Sequence, residues 1–201
     1  MTQYDLFVPN DRFGSNTYLL FTEDDACVID ASVPLRQIRR AARPPHISFV
    51  LLTHGHFDHI LALSSYAEAG IPIYMAGEDI PMLTNAYRNA SLLFGQDLTV
   101  LCRPTAIKQG DSLSVGGVPI QTIASPGHTP GSLCFSVDRF LFTGDTLFAG
   151  GGYGRTDLPE GCFDDLAASL RALAALDPTL RILPGHGEED LLGDSLYNLV
   201  Y

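Results

Sequence analysis

The sequence predicts an α/β protein, a four-layer αββα sandwich of two packed mixed sheets with helices on the outer faces. Three observations point there. Strand-like clusters occur in both halves of the chain, and each cluster is followed by helix. The run Ile47–Leu52 shows no regular polar alternation, so both of its faces are expected to be covered. No short-period repeat appears, which argues against a solenoid. No linker-like stretch divides the 201 residues, so a single domain over residues 1–201 is expected.

Taken in order, Tyr4–Val8, Asn16–Thr22 and Ala26–Asp30 are rich in aromatic and β-branched residues and read as strands. They are separated by Pro9-Asn10-Asp11 and by the acidic turn Glu23-Asp24-Asp25. Ser32 is an expected N-cap for a helix over Pro34–Arg43, which Pro44-Pro45 stops. The buried strand Ile47–Leu52 follows, then a polar loop, then a helix outlined by Ile60, Leu61, Leu63 and Ala67 and ended by Gly70. Ile71–Met75 reads as another strand, and Gly77–Gln96 as a mixed segment lying across a surface. A second strand series is expected at Leu98–Cys102, Ser112–Val115, Val118–Ala124, Ser132–Val137 and Phe140–Thr143. Phe163, Leu166, Leu170, Leu173 and Leu176 recur at helical spacing, with Asp164 and Asp165 in the first turn and Asp177-Pro178 at the end. Leu180–Leu183 is the last expected strand.

Composition narrows the function classes. Twelve basic residues stand against twenty-three acidic ones, a formal charge of −11, and no Lys/Arg run follows one face. Nucleic acid needs such a basic footprint and is excluded as an expected partner, as are anionic membrane surfaces. No apolar run approaches transmembrane length, and Met1–Asp5 shows no basic segment before an apolar core, so a cytoplasmic location is expected. Cys27, Cys102, Cys134 and Cys162 are far apart and form no C-x-x-C pair, which suits reduced core residues.

The chemistry gathers at strand ends. Ile47–Leu52 leads into Thr53-His54-Gly55-His56-Phe57-Asp58-His59, which holds three of the six histidines. Val118–Ala124 leads to His128, Phe140–Thr143 to Asp145, and Leu180–Leu183 to His186. Rigid strands position loops, and the intervening glycines let the backbone turn sharply. Nitrogen and oxygen donors crowded in this way point to transition-metal ligation. Seven candidates are too many for one tetrahedral ion and suit two adjacent metals sharing a carboxylate.

His54-Gly55-His56-Phe57-Asp58-His59, Pro126-Gly127-His128-Thr129, Gly144-Asp145 and Gly185-His186-Gly187 occur here in the order and approximate spacing of the metallo-β-lactamase superfamily. The chain resembles that superfamily over nearly its whole length. The resemblance implies that His54, His56 and His128 hold one metal, that Asp58, His59 and His186 hold a second, and that Asp145 bridges them. Two divalent ions are implied, zinc first, with iron or a zinc/iron mixture as the other loadings. Within the superfamily, Gly144-Asp145-Thr146-Leu147-Phe148 and Gly154-Arg155-Thr156-Asp157-Leu158-Pro159 resemble the small glyoxalase-II-like hydrolases. The segment around Asn89, Ser91, Leu92 and Phe94 is similar to that branch as well.

That likeness implies hydrolysis of a small-molecule thioester, such as S-D-lactoylglutathione, by a metal-bridging hydroxide. Asp58 and Asp145 would be the catalytic carboxylates, and Asp58 would orient the nucleophile. Two departures bear on the substrate. The chain ends soon after His186, which leaves no room for the C-terminal helical domain with which glyoxalases II hold glutathione. The loop Ala149–Tyr153 is also a residue longer than its relatives usually have. The alternative is a persulfide dioxygenase, whose relatives share the Gly-Arg-Thr-Asp stretch and hold one iron with two histidines and an aspartate, here His54, His128 and Asp145. Nuclease activity is disfavoured by the charge.

Other residues carry weaker signals. Asp30 is read either as a turn residue or as an orienter of a ligand histidine. Asp58 also stands where an N-cap is common. Arg155 is expected to pair with Asp157 rather than with substrate, Tyr153 to face either the cleft or solvent, and His46 to be no ligand. Gly-x-Ser-x-Gly and a Walker lysine are both missing, which removes serine-hydrolase and phosphate-loop chemistry. Oligomeric state has no signature.

Overall fold

In a computed structural model that describes residues 2–9, 12–44 and 46–199, the chain forms two six-stranded sheets. The first carries β1 (Gln3–Phe7), β2 (Thr17–Phe21), β3 (Ala26–Ile29), β4 (Ile47–Leu51), β5 (Ile73–Ala76) and β6 (Thr105–Ile107), side by side in chain order. The second runs β12-β11-β10-β9-β8-β7, from β7 (Ser112–Val115), β8 (Val118–Ala124), β9 (Leu133–Val137) and β10 (Phe140–Gly144) to β11 (Arg181–Pro184) and β12 (Asp190–Leu191). Both are mixed. β1, β2 and β3 pair antiparallel while β3 through β6 pair parallel, and β10–β11 is the one parallel pairing of the second sheet.

Strand periodicity sorts the apolar side chains into layers. Leu20, Cys27, Ile29, Phe49 and Leu51 point from the first sheet onto Val115, Ile120, Phe135, Val137, Phe140 and Phe142 of the second. Leu19, Val28 and Val50 point the other way, onto α1 (Leu35–Ala41) through Leu35 and Ile38 and onto α2 (Leu63–Glu68) through Leu63 and Tyr66. On the far side, Cys134, Leu141 and Ile182 of the second sheet meet Leu173 of α3 (Phe163–Leu173) and Leu192 of α4 (Leu192–Leu199). The order helix, sheet, sheet, helix is the expected sandwich. Each large apolar side chain buried between the sheets contributes about 1.5–3 kcal/mol.

Several local expectations are corrected. Leu98–Cys102 forms no ladder. Val100 is buried and its N–H donates to the Leu83 carbonyl (2.6 Å), yet Leu101 stands in solvent, and the edge strand is Thr105–Ile107, paired with β5. Ser32 does not cap α1. Its hydroxyl donates instead to the Asp58 carbonyl and contacts the Ser15 hydroxyl, so it fastens the polar loop after β4. Asp58 is no cap either, since it lies inside a 3-10 turn, Phe57–His59. The segment Gly77–Gln96 is partly internal: Asp79, Met82, Leu83, Asn89 and Ser91 are buried. The elements β12 and α4, after His186, were not anticipated. Asn10, Asp11 and Pro45, parts of the expected turn and helix stop, lie outside the described residues.

Candidate metal centre

The four apolar strands β4, β8, β10 and β11 bring their following loops to one end of the sandwich. All seven predicted site residues meet there. Three groups of side chains each place their donor atoms within 4.8 Å of one another: His54, His56 and His128; His54, His59 and Asp145; and Asp58, His59 and His186. Asp145 lies between the two histidine sets, with Oδ1 3.2 Å from His59 Nε2 and Oδ2 3.4 Å from His128 Nε2. Asp58 Oδ2 is 3.1 Å from His186 Nε2 and 4.0 Å from His59 Nε2. His46 stands apart and exposed.

Neighbouring groups fix which ring nitrogen faces inward. His59 Nδ1 donates to Asp30 Oδ2 (2.8 Å), and His128 Nδ1 donates to the Arg155 carbonyl (2.7 Å). His54 Nδ1 lies 3.1 Å from Thr53 Oγ1, whose own proton goes to Asp30 Oδ2 (2.8 Å). In all three rings the Nε2 lone pair is therefore directed into the cluster, as metal ligation requires. His56 points its Nδ1 there, 2.8 Å from His128 Nε2.

The choice expected for Asp30 resolves as both roles. It follows β3 with φ +58°, a left-handed conformation that is costly for a residue other than glycine. Three donors from two residues hold it there: the Thr53 N–H, the Thr53 hydroxyl and His59 Nδ1–H. Glycine matters at position 185, where a Cβ would stand 2.1 Å from Asp145 Oδ1 and 2.6 Å from His59 Cε1. Only a bare backbone lets β11 approach the carboxylate so closely.

The chemistry of this donor set fits cations. Six buried side-chain polar atoms lack a hydrogen-bonding partner among the described residues, and four of them are His54 Nε2, His56 Nε2, His59 Nε2 and Asp145 Oδ1. Orphaned polar atoms are costly in a folded protein, and cations held in the cluster would satisfy the inward-facing ones, His54 Nε2, His59 Nε2 and Asp145 Oδ1. The electrostatics agree. Burial and then the neighbouring His59 and His128 hold His54 well below the usual imidazole range. Burial and His128 take His56 down to about 3, so both rings are neutral donors at physiological pH. Burial opposes ionisation of Asp145, but His59, His128 and His186 outweigh it and hold the carboxyl well below its ordinary value. Burial likewise opposes protonation of His59, yet Asp30, Asp145 and Asp58 hold it well above the usual value: the pocket attracts positive charge.

Above the cluster opens a cleft of about 410 Å³ with Asp58, His128, Asp145 and His186 at its base. Phe13, Phe57 and Phe94 form one wall as edge-packed rings, with Phe13 5.6 Å from Phe57 and 6.1 Å from Phe94 between centroids. Phe148 and Tyr153 lie on the cleft as well, and Tyr153 is also 43% exposed, so its two expected placements coexist. Arg155 pairs with Asp157 through two 2.6 Å contacts, as expected.

One buried residue escaped the sequence reading. Asp79 accepts from the Gly55 N–H (2.9 Å), the Gly131 N–H (2.7 Å) and the Thr129 hydroxyl (2.7 Å). It sits in an irregular 3-10 stretch, Gly77–Thr84, containing Pro81, where no helical or strand period marks an inward position.

Comparison with known proteins accords with this architecture. Residues 10–186 match the Metallo-beta-lactamase superfamily, and the chain belongs to that superfamily of metal-dependent hydrolases. Among its relatives, the probable metallo-hydrolase YqgX of Bacillus subtilis is 33% identical over 189 residues, 90% of this chain and 89% of that protein. Hydroxyacylglutathione hydrolase GloC of Haemophilus influenzae is 30% identical over 195 residues, 92% of each. Among solved structures, the BLEG-1 B3 metallo-beta-lactamase superposes with a TM-score of 0.87 at 27% identity, covering 97% of both chains. TTHA1623 in a di-iron-bound form gives 0.80 at 31% identity, covering 94% of this chain and 95% of that one.

Proposed function

We propose that this chain is a binuclear metal hydrolase of small thioesters, of the glyoxalase II type. His54, His56 and His128 would hold one divalent cation; Asp58, His59 and His186 would hold the other; and Asp145 would serve both. The position of Asp145 carries the reading, since one carboxylate reaches toward both His59 and His128 from opposite oxygens. Bound divalent cations supply Lewis acidity and a hydroxide nucleophile at neutral pH. Zinc is the expected loading; the di-iron form of TTHA1623 keeps iron or a zinc/iron mixture as the alternatives.

The chain's own residues account for the rest. Asp58 is ionised, because His59 and His186 outweigh the burial that opposes it, and it stands at the cleft floor where it can orient a nucleophile. The Phe13–Phe57–Phe94 wall excludes water from one side of the reacting centre and gives an acyl chain an apolar surface. A thioester is favoured over other hydrolase substrates by the GloC relative and by the Gly154–Pro159 stretch, whose Arg155 carbonyl orients His128. The proposal includes a cytoplasmic location and neither nucleic acid nor membrane as partner. A charge of −11 supports it, and no helix among the described residues is long and apolar enough to cross a membrane.

The test is elemental analysis of protein purified without added metal, joined to a hydrolysis panel with S-D-lactoylglutathione, other small thioesters and a β-lactam. Two equivalents of metal with thioester turnover is the expected result. One iron, dioxygen consumption with glutathione persulfide and no hydrolysis would replace this reading with a persulfide dioxygenase using His54, His128 and Asp145. Turnover of the β-lactam alone would keep the centre and discard the thioester.

A further inference from the structure

Asp79 belongs to neither proposed half of the centre, yet it touches the backbone on both sides of one. The Gly55 N–H lies between His54 and His56, and the Thr129 hydroxyl and Gly131 N–H belong to the turn directly after His128. These two loops follow β4 and β8, strands of different sheets; one backbone hydrogen bond, from the Leu133 N–H to the Thr53 carbonyl (2.8 Å), joins their outer ends, and Asp79 joins them beside the histidines. The carboxylate is completely buried, and every partner it has donates to it. Such a group is costly to retain unless its three hydrogen bonds are all made, and charge-assisted bonds of this kind hold geometry firmly.

The surrounding backbone is shaped to let it in. A Cβ at position 131 would stand 2.6 Å from Asp79 Oδ1, so the Gly131 N–H reaches the carboxylate only because that residue is glycine. At position 55 a Cβ would meet Met82 at 2.8 Å and the Asp79 carbonyl at 3.1 Å, so this loop too is pressed against the Asp79 segment. Thr129 Oγ1 also contacts the Ser132 hydroxyl (2.8 Å), which extends the network along the turn.

We infer that Asp79 is the positioning residue of the three-histidine half: it ties the His54–His56 loop to the His128 loop and so sets the spacing of those three donors. Asp30 orients His59 of the other half through Nδ1 and also reaches His54 through Thr53. The inference rests on the proposed assignment of His54, His56 and His128 to one cation, and it is independent of the thioester.

The experiment is a competition titration of metal-free protein with Zn2+ against a chromophoric chelator, comparing wild type with Asp79→Asn, Asp30→Asn and Gly131→Ala. Cobalt(II) absorption spectra identify which site is filling, and near-UV circular dichroism reports the fold. Asp79→Asn should weaken the three-histidine site by about 10–100-fold, the usual cost of losing an outer partner, while the Asp58–His59–His186 site changes little. Asp30→Asn, which reaches His59 directly and His54 through Thr53, should weaken both sites, and Gly131→Ala should follow Asp79→Asn. Where Asp79→Asn does not fold, the Gly131→Ala pattern decides. Retention of both affinities within about twofold in Asp79→Asn, or equal weakening of both sites by Asp79→Asn or Gly131→Ala in a folded protein, would overturn the inference. Wild-type protein that binds no metal would overturn the assignment beneath it, whereas absent thioester turnover would leave this result unaffected.

Discussion

The two halves of the proposed centre differ in how they are held. His54, His56 and His128 are 1–2% exposed, and their loops are tied together by Asp79. In the other half only His59 is fully enclosed; the side chains of Asp58 and His186 are 16% and 39% exposed and face the cleft. One half is enclosed by the protein, and the other opens on the cleft. A preorganised donor set binds more tightly, because less ordering is left to do on binding, while an open one leaves room for exchange with substrate.

That contrast can be broken at the residue both halves share. Asp145→Asn should remove hydrolysis by about a thousandfold or more, since several kcal/mol of charge stabilisation disappear together, as steady-state kinetics would show. Asp30→Asn acts directly on His59 and, through Thr53, on His54. It should lower activity by about 10–100-fold, and added Zn2+ should recover part of the loss, because the weakened sites refill at high metal. Stepwise dialysis against a chelator should empty the Asp58–His59–His186 half first, giving a species with one equivalent of metal and greatly reduced turnover, read by elemental analysis of the fractions. The smallest effect is expected at Arg155→Ala. The Arg155–Asp157 pair is exposed, 54% and 68%, and such pairs are worth about 0–1 kcal/mol, while the contact to His128 comes from the Arg155 backbone. Activity should stay within about twofold of wild type by the same assay.

Most of the architecture was legible because apolar runs and strand ends coincide. Ile47–Leu51, Val118–Ala124, Phe140–Gly144 and Arg181–Pro184 each carry their ligand candidate just past the last paired residue. What escaped was held by tertiary hydrogen bonds that have no sequence period. Asp79 is one such case; Ser32 is another, its hydroxyl turned to the Asp58 carbonyl instead of the α1 terminus. Leu98–Cys102 reads as a strand from its apolar residues, but the neighbouring edge of β5 is taken by Thr105–Ile107. The final helix was readable in principle, since Leu192, Leu196 and Leu199 recur at helical spacing and pack on the second sheet.

The most direct test of the unequal halves is calorimetric titration of metal-free wild-type protein with Zn2+. Two resolved steps are expected, the weaker one lost in His186→Ala and the tighter one little changed by it. A single equivalent at saturation, or two steps that His186→Ala weakens alike, would contradict the account.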